Sequence, residues 1–408
     1  MRLAVELYDE VIGHLVGDAR TFDIEISRDA MARFGTNSRV LSTAVPLSPR
    51  PPRHHAGRRR NWFAELLPEG DQLEHMLSRR GLRRGDVPAF LAAYGRDVAG
   101  ALQIWDVDDP TEPPTGRAIP VDAAQIRRLL EDPLSAPLGN DPVAGKSSLG
   151  GVQPKVVLAR TDDGWARVTG GFPSTHILKP QLSQLPTVIF DEEYGARLAR
   201  GMQLAAFDTH VTSFDGLPTL VVERFDRATG TRIHQEDFSQ ALGAAGNQKY
   251  QEIGGVVSLA RVADVLARHA RSDDLHALAR MLVLTVAVGN LDLHTKNLAL
   301  LHARDGDVTL APAYDVVPMA HRTDVDGRVA LAVNGQYVHA RLTAADLVAE
   351  ASAWGVRRAD RVVESTLDEL RALIDAETPL DGAASRLHDR VRTYIGNLIN
   401  GHRVGKEP

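Results

Sequence analysis

The strongest constraint on the fold is a change of pattern near residue 235. Before it, short runs of β-branched and other apolar residues, such as LAVELY, KVVLAR and PTLVVERF, alternate with turn signals and predict strands. After it, as far as about residue 400, the apolar spacing predicts mostly helices. A strand-rich part followed by a helical part indicates an α+β chain with two lobes. The 408 residues are also enough for two or three packed units.

Composition suggests where these parts divide. The stretch DVDDPTEPPTGRAIP, rich in Pro, Asp and Thr, begins at Asp106 and is typical of a linker. We therefore expect an N-terminal subdomain over 1–108, a linker and strand-rich region over 109–234, and a helical region over 235–408.

Local patterns predict individual elements. LAVELY and TFDIEIS are expected as strands joined by a glycine-containing turn, and GRDVAGALQIW as the strand that closes the first segment. NWFAELLPEGDQLEHMLSRRG predicts a helical stretch, DAAQIRRLLED a short helix, and residues 187–204 an amphipathic helix. The longest apolar run, MLVLTVAV, predicts a buried helix, because a membrane helix needs ~18 apolar residues.

Charge and cysteine content indicate the cellular compartment and limit the possible partners. The N-terminus MRLAVELYDE has no apolar signal core, and the chain has no cysteine, so we expect a cytoplasmic protein without membrane contact. A net charge of -6 argues against a surface that grips nucleic acid throughout. The basic stretches RPPRHHAGRRR and RRGLRRG are expected to be solvated; contact with DNA or an acidic partner is the alternative.

The stretch GKSSLGGVQPKVVL, residues 145–158, resembles a phosphate-binding loop. A switch-ATPase loop needs the pattern G-x-x-x-x-G-K-[ST] between a strand and a helix. Here five residues separate Gly139 from Gly145, a Pro-rich stretch precedes the loop, and a β-branched run follows it. That context argues against an ATPase loop. It leaves a glycine loop that folds over phosphates before a strand, or an ordinary hairpin.

The glycine-loop interpretation has two supports nearby. Gly150 and Gly151 lack a Cβ, so the backbone there can approach a phosphate closely and point its N–H groups at it. Lys179 ends the apolar strand THILKP, where a kinase keeps its phosphate-pairing lysine.

Residues farther along favour a kinase. NLDLHTKNLAL contains Asp292 and Asn297 in the D-x-x-x-x-N spacing of a kinase catalytic loop. Phosphoryl transfer needs a carboxylate that accepts the proton of the attacking hydroxyl, and an amide oxygen that holds a metal ion. A predicted hairpin, LALLHARDGDVTLAPAYDVV, then leads to Asp315, a second carboxylate for Mg²⁺. Each residue alone could cap a turn or end a strand, but together they follow kinase order.

At this point the sequence resembles the HipA family, the kinase toxins of bacterial type II toxin–antitoxin pairs. The resemblance implies a two-lobed protein-kinase-like fold, with a β-rich N-terminal subdomain and a largely helical C-terminal lobe. It covers nearly the whole chain and rests on these motifs: FAELLPEGD, GRDVAGALQIW, SLGGVQPK, THILKP, DEEYGARLA, VERFDR, HQEDFSQALG, NLDLHTKN and AYDVV.

The resemblance also implies roles for individual residues. Asp292 is expected to be the catalytic base, and Asn297 and Asp315 the Mg²⁺ ligands. Glu193 is expected to be a helix carboxylate that faces the site, with an exposed helix charge as the alternative. Gln235 and Asp237 are expected near the site. Contacts to ATP are expected from Gly150, Gly151, Val152, Lys155, Lys179, Glu223, Phe225, His294, Asn297 and Asp315.

Ser148 lies where family members carry an autophosphorylated loop serine. Phosphate there would add about -1.5 to -2 charges among donors that otherwise hold ATP, and would favour an open, inactive loop. The adjacent Ser147 is a rival acceptor, and a purely structural serine is the alternative.

The resemblance further implies ATP and Mg²⁺ as cofactors and a HipB-like helix-turn-helix antitoxin as partner. DNA would be contacted mainly through that antitoxin. The family's protein substrates include aminoacyl-tRNA synthetases. Two other functions stay open: a kinase for a small molecule or lipid head group, and a non-enzymatic, nucleotide-binding subunit of a DNA-bound repressor. The presence of both Asp292 and Asp315 favours catalysis.

Overall fold

A computed structural model of the protein describes residues 1–112, 115–134, 137–140, 145–151, 153–228 and 231–407. The chain forms two compact units, each built from three separate stretches. The first unit comprises residues 1–180, 212–236 and 301–307, and the second comprises 181–211, 237–300 and 308–408. The three segments expected from composition, 1–108, 109–234 and 235–408, stay a prediction.

The first unit begins with a four-stranded antiparallel sheet in the order β3-β2-β1-β4. Leu3, Leu7, Leu15, Trp62 and Phe63 are among the buried side chains that form its core. The strands are β1 (Arg2–Leu7), β2 (Glu10–Val16), β3 (Asp23–Ile26) and β4 (Leu102–Asp106), and the helices are α1 (Arg28–Phe34), α2 (Ala56–Ala64), α3 (Gly70–Arg80) and α4 (Val87–Tyr94).

Strand β2 was not predicted, because only a glycine-containing turn was expected between LAVELY and TFDIEIS. Gly13 instead lies inside the strand, where an added Cβ would be 2.3 Å from the main-chain oxygen of Glu25 on β3. The glycine therefore permits a close approach of two strands.

Two further predictions in this region need correction. The expected helical stretch NWFAELLPEGDQLEHMLSRRG is divided: α2 ends at Ala64 and α3 begins at Gly70, with Pro68 between them. Proline lacks an N–H donor and disfavours a helical residue before it, which explains the break. In GRDVAGALQIW only the end is a strand, since β4 begins at Leu102.

A second sheet of the first unit carries the predicted glycine loop and lysine. Its order is β5-β7-β6-β8-β10-β9. Helix α5 begins after a capping box of Asp122 and Gln125 and buries Ile126 and Leu130, as DAAQIRRLLED predicts. The strands of this sheet are β5 (Arg117–Pro120), β6 (Val156–Thr161), β7 (Gly164–Thr169), β8 (His176–Pro180), β9 (Thr209–Phe214) and β10 (Leu217–Glu223), and α5 comprises Ala123–Glu131. Strands β11 (Arg227–Ala228) and β12 (Thr231–Arg232) form a separate two-stranded sheet.

The second unit is mainly helical. Its helices are α6 (Val188–Gly201), α7 (Phe238–Leu242), α8 (Leu259–His269), α9 (Ser272–Val288), α10 (Ala344–Ala353), α11 (Ala359–Ala376) and α12 (Leu387–Ile399). MLVLTVAV is the buried second half of α9, as predicted. None of the helices in the described part of the chain is long and apolar enough to cross a membrane.

Short strands accompany these helices. The chain passes between the units within β13 (His234–Asp237) and β14 (Ala299–His302). Strands β14 and β15 (Val308–Leu310) form the hairpin that was predicted before Asp315. A second hairpin, β16 (Arg328–Val333) with β17 (Gln336–Val338), was not predicted.

Candidate active site

The predicted catalytic loop follows α9 in the second unit. Gly289 ends the helix in the left-handed conformation, with φ of +76°, and its N–H bonds to the oxygens of Thr285 and Val286. This is a common way to end a helix, and it requires a residue that tolerates positive φ. An added Cβ at Gly289 would also lie 2.8 Å from Cβ of Ala320. The glycine thus fixes the direction in which the loop leaves the helix.

Asp292 is held mainly through its backbone. Its N–H donates to the Asn290 side chain at 3.0 Å, and its carbonyl oxygen accepts from the Asn297 side-chain amide at 2.9 Å. The carboxylate accepts from the Tyr250 hydroxyl at 3.2 Å, and its side chain is 40% exposed. A fixed backbone and an accessible carboxylate are what a general base requires.

The Asn297 and His294 side chains have different tasks. Because Asn297 donates through Nδ2 to Asp292, its Oδ1 is the atom that can bind a cation. His294 is buried, packs edge-on against the Tyr250 ring, and lies 3.8 Å from the Asp292 carboxylate. These contacts indicate that His294 supports Asp292 and Tyr250.

Lys296 connects the catalytic loop to its surroundings, a contact that the sequence did not predict. Its ammonium group is 3.2 Å from the carboxylate of Asp237, which caps the start of α7. Its main-chain oxygen accepts from the Tyr314 hydroxyl at 2.8 Å. Asp237 therefore lies next to the catalytic loop, as expected, and Tyr314 joins that loop to the segment of Asp315.

Asp315 has a left-handed backbone, with φ of +55°. Among non-glycine residues, Asp and Asn tolerate this region best, and such conformations persist where the surroundings impose them. One constraint is the close approach of α6: an added Cβ at Gly195 would be 2.0 Å from the oxygen of Val316. Asp292 and Asn297 are thus joined by a hydrogen bond, and the segment of Asp315 is joined to their loop through Tyr314.

The side chains of Asn297 and Asp315 have oxygen atoms of the kind that Mg²⁺ binds together with nucleotide phosphates. In the described residues, no group of three or more His, Cys, Asp or Glu side chains is placed to hold a metal alone. Mg²⁺ in nucleotide sites commonly uses one or two carboxylates, with phosphates and waters as its other ligands. Asn297 and Asp315 supply hard oxygen ligands of that kind.

Helix α6 corrects the interpretation of Glu193. The residue is buried, and its carboxylate forms two contacts of 3.1 Å with Arg197, so it is not an exposed helix charge. Arg197 also pairs with Glu377. At 3.6 residues per turn, Glu193 lies on the side of α6 opposite Gly195, whereas the buried Glu192 lies on the Gly195 side. Glu192 is therefore the better candidate for a carboxylate facing the Asp315 segment.

In the first unit, the glycine loop precedes β6. Gly151 has φ of +96°, and an added Cβ there would be 2.8 Å from Nζ of Lys155. The Lys155 ammonium donates to the oxygen of Gly150 at 3.2 Å, so this lysine lies against the loop, and its contact with ATP stays a prediction. Val152 lies outside the described residues.

The other nucleotide candidates of this unit lie on neighbouring strands. Lys179, on β8, is buried and pairs with Leu220 of β10. Glu223 ends β10 with an exposed side chain, and Phe225 follows, half-buried. Their contacts to adenine stay a prediction. Gln235 donates to Asp226 at 3.0 Å.

The two loop serines are both buried. The Ser147 hydroxyl donates to the Asp97 carboxylate at 3.2 Å, and the Ser148 hydroxyl donates to the oxygen of Leu66 at 2.9 Å. Neither hydroxyl is accessible to a phosphate donor in this conformation. Phosphorylation of either serine would require the loop to leave this position.

A buried ionic cluster lies beneath this loop, and sequence reasoning missed it. Asp97, Arg224, Asp226 and Arg227 are all at least nine-tenths buried and mutually paired. Burial alone would raise the pKa of Asp97, but the neighbouring arginines lower it to about 2. The same competition holds the pKa of Asp226 well below its usual range. In the sequence, the only indication of this cluster is that the charged residues of GRD and ERFDR lie among apolar residues.

Comparison with known proteins supports one family. A model described as HipA-like C-terminal domain matches residues 147–376, and one described as HipA N-terminal domain matches residues 3–105. A putative kinase, Y4mE, of Sinorhizobium fredii is 32% identical over 380 residues, which is 88% of this chain and 89% of that protein. The serine/threonine-protein kinase toxin HipA of Shewanella oneidensis is 27% identical over 362 residues, covering 83% and 79% of the two chains.

The fold also matches a solved structure. HipA of S. oneidensis MR-1, determined in complex with HipB and operator DNA, superposes with a TM-score of 0.80 at 23% identity and covers 98% of this chain and 97% of its own. The predicted fold class, α+β and protein-kinase-like with a β-rich and a largely helical part, is thereby confirmed.

Proposed function

This chain belongs to the HipA family, and on that premise we propose that it is an ATP- and Mg²⁺-dependent serine/threonine protein kinase that acts as a toxin. The observation that carries the proposal is the arrangement around Asp292. Its backbone is fixed by Asn290 and Asn297, and its carboxylate is accessible. Asp315 is tied to the same loop through Tyr314 and Lys296.

The proposed reaction transfers the γ-phosphoryl group to a serine or threonine hydroxyl. Asp292 orients the hydroxyl and accepts its proton, the oxygen bonds to the γ-phosphorus, and the bond to the β–γ bridging oxygen breaks, releasing ADP. Mg²⁺, held by Asn297 and Asp315, would neutralise charge on the phosphates. The glycine loop, Lys155 and Lys179 are proposed as further contacts to the ATP phosphates.

We extend the proposal to self-inactivation through Ser148. Ser147 donates to a carboxylate, so a phosphate on its oxygen would be placed against the negative charge of Asp97. Ser148 donates to a neutral carbonyl, so that only a hydrogen bond is lost when it leaves. This difference favours Ser148 as the acceptor once the loop has moved outward.

Partners follow from the family. The S. oneidensis HipA is found with HipB and operator DNA, and we propose a HipB-like helix-turn-helix antitoxin for this chain, with DNA contacted mainly through it. The proposed substrate is a translation component of the aminoacyl-tRNA synthetase class, and the proposed compartment is the cytoplasm.

Transfer from labelled ATP tests the proposal directly. Purified protein would be incubated with labelled ATP and Mg²⁺, alone and with a host lysate, and the products mapped as phosphopeptides. Label in the wild-type sample and none with Asp292→Asn would support a protein kinase. Nucleotide binding without transfer to any protein would reject it, and would favour a non-enzymatic regulatory subunit or a small-molecule kinase instead.

A further inference from the structure

Asp97 is one of the residues that hold the start of the glycine loop, and it does so through both its backbone and its carboxylate. We call residues 146–148 the loop base. The N–H groups of Arg96 and Asp97 both donate to the oxygen of Lys146 at 3.2 Å, and the N–H of Ser148 donates to the oxygen of Asp97 at 3.0 Å. Asp97 and Ser147 thereby form a parallel bridge. The Asp97 carboxylate adds a side-chain contact, since it accepts from the Ser147 hydroxyl at 3.2 Å.

Asp97 is itself fixed on several sides. Its Oδ1 accepts from Arg227 at 3.0 Å and from Arg232 at 3.1 Å, and its Oδ2 accepts from the Ser174 hydroxyl at 2.6 Å. The residue is 1% exposed. Hydrogen bonds between charged groups in a buried site are strong and directional, so the carboxylate has one position.

Asn140 holds the loop base from another direction. Its side-chain oxygen accepts from the N–H of Ser147 at 2.9 Å, and its side-chain nitrogen donates to the oxygen of Ser147 at 2.8 Å. These hydrogen bonds fix residues 146–148, which precede Gly150 and Gly151 in the sequence. The loop base therefore fixes the point from which the two glycines continue.

The cluster around Asp97 also reaches the predicted adenine-binding segment. Arg224, between Glu223 and Phe225, donates to Asp226 at 2.9 and 2.8 Å and to the oxygen of Val98 at 3.0 Å. Residues 96–98 thus contact both the loop base and the segment after β10.

We propose that Asp97 is a positioning residue for nucleotide binding, and that its carboxylate holds the glycine loop in the docked position in which Ser148 is buried. The part that concerns nucleotide rests on the proposed kinase function; the part that concerns the loop does not. Loss of the carboxylate releases the loop base, which weakens ATP binding and exposes Ser148.

Asp97→Asn and Asp226→Asn form a matched pair for the test. Both replace a buried, arginine-paired carboxylate by its neutral isostere. Asp226, however, accepts from Gly100, Arg224, Arg227 and Gln235, and none of its hydrogen bonds within the described residues goes to the loop base. Both variants should therefore show any effect of removing a negative charge from the cluster. Only Asp97→Asn should also release the loop base.

Hydrogen exchange of the nucleotide-free full chain measures the docked loop without requiring kinase activity. We expect the amides of Ser147 and Ser148 to exchange at least about tenfold faster in Asp97→Asn than in Asp226→Asn, with strand β2 as internal reference. Equal exchange of the loop base in the two variants would overturn the proposal. If Asp97→Asn does not fold, Ser147→Ala, which removes the hydroxyl that donates to Asp97, replaces it in the experiment. An unchanged exchange rate of the Ser148 amide in Ser147→Ala would then overturn the proposal.

Kinetics then separate positioning from a general loss of structure. We expect KM for ATP to rise about tenfold in Asp97→Asn with a much smaller change in kcat. A fall in kcat at constant KM would contradict the positioning role. Absence of transfer in the wild type would reject the kinase proposal, while the exchange result would still decide the role of Asp97.

Discussion

The Tyr314 hydroxyl donates to the main-chain oxygen of Lys296 at 2.8 Å. Each of these residues directly precedes a proposed magnesium ligand, Asp315 and Asn297 respectively. This hydrogen bond therefore joins the two segments that carry the proposed magnesium ligands.

We expect Tyr314→Phe to weaken magnesium binding without abolishing activity. Loss of one hydrogen bond costs about 1 kcal/mol, which corresponds to roughly a fivefold higher Mg²⁺ requirement. The measurement is a Mg²⁺ titration of the thermal shift caused by ATP. Tyr337→Phe is the control, because that hydroxyl has no hydrogen bond to any described residue. An unchanged titration for Tyr314→Phe would contradict the link.

Asp292→Asn should remove phosphoryl transfer and leave the fold intact. The amide oxygen can still accept from Tyr250, and the backbone contacts to Asn290 and Asn297 do not involve the carboxylate. The loss of a proton acceptor typically lowers the rate by ~10²–10⁴. ATP affinity, measured by calorimetry, should stay within about twofold of the wild type. Full activity in a folded Asp292→Asn protein would exclude Asp292 as the base.

Two substitutions at Asp315 should distinguish the contribution of its carboxylate charge to Mg²⁺-ATP binding from the contribution of its backbone conformation to stability. Asn tolerates the left-handed backbone, so Asp315→Asn should be as stable as the wild type without ligand and should show a smaller thermal shift with Mg²⁺-ATP. Asp315→Ala should lose stability as well, by about 1 kcal/mol, because alanine is strained at φ of +55°. A normal shift in Asp315→Asn would remove this carboxylate from the metal site.

The folded protein should become less stable as the pH is lowered, because the buried His234 must stay neutral. Its Nε2 lies 2.7 Å from the oxygen of Leu41, and its Nδ1 accepts from the N–H of Ala101 at 3.4 Å. Burial, together with the nearby His302, lowers the pKa of His234 to about 3. The folded pKa is thus below that of the unfolded chain, so the stabilisation is complete above pH ~6.5 and is lost as pH falls toward 3, by up to ~1.4 kcal/mol per pH unit.

Urea denaturation at pH 7, 6 and 5 measures this dependence. His234→Gln keeps a donor and an acceptor but does not titrate, so its unfolding free energy should depend less on pH than that of the wild type. His402→Gln, at an exposed position, should behave like the wild type. Parallel pH profiles for all three proteins would contradict the assignment.

Ser148→Ala should prolong kinase activity. The variant loses one hydrogen bond to Leu66 and with it about 1 kcal/mol of loop stability, but it cannot be phosphorylated there. In the wild type incubated with ATP, we expect mass spectrometry to place phosphate on Ser148. Phosphate on Ser147 of the Ser148→Ala protein, at the wild-type rate, would show that the Asp97 carboxylate does not discriminate between the two.

Much of the fold and part of the site could be predicted from local pattern. Helix α9 and the β14–β15 hairpin depend on residues close together in sequence, where periodicity is informative. Strand β2 was missed because the environment of Gly13, close to Glu25 of the next strand, is a property of the assembled sheet.

The remaining features of the site depend on contacts between residues that are far apart in the sequence. The choice between Glu192 and Glu193 turned on which side of α6 meets Val316, a segment more than a hundred residues away. Asp97 finds its partner Arg227 after 130 positions, so sequence shows that both charges exist but not that they neutralise each other. Buried ion pairs of this kind are visible only after the chain has folded.

The division of the chain has a consequence for its synthesis. His302 is fully buried in the first unit, where its ring nitrogens contact Glu236 at 3.1 Å and the oxygen of Arg39 at 2.7 Å. The first unit therefore cannot complete its interior until His302 has left the ribosome, although domains usually fold in order of synthesis. Nascent chains that stop before this histidine lack part of that interior.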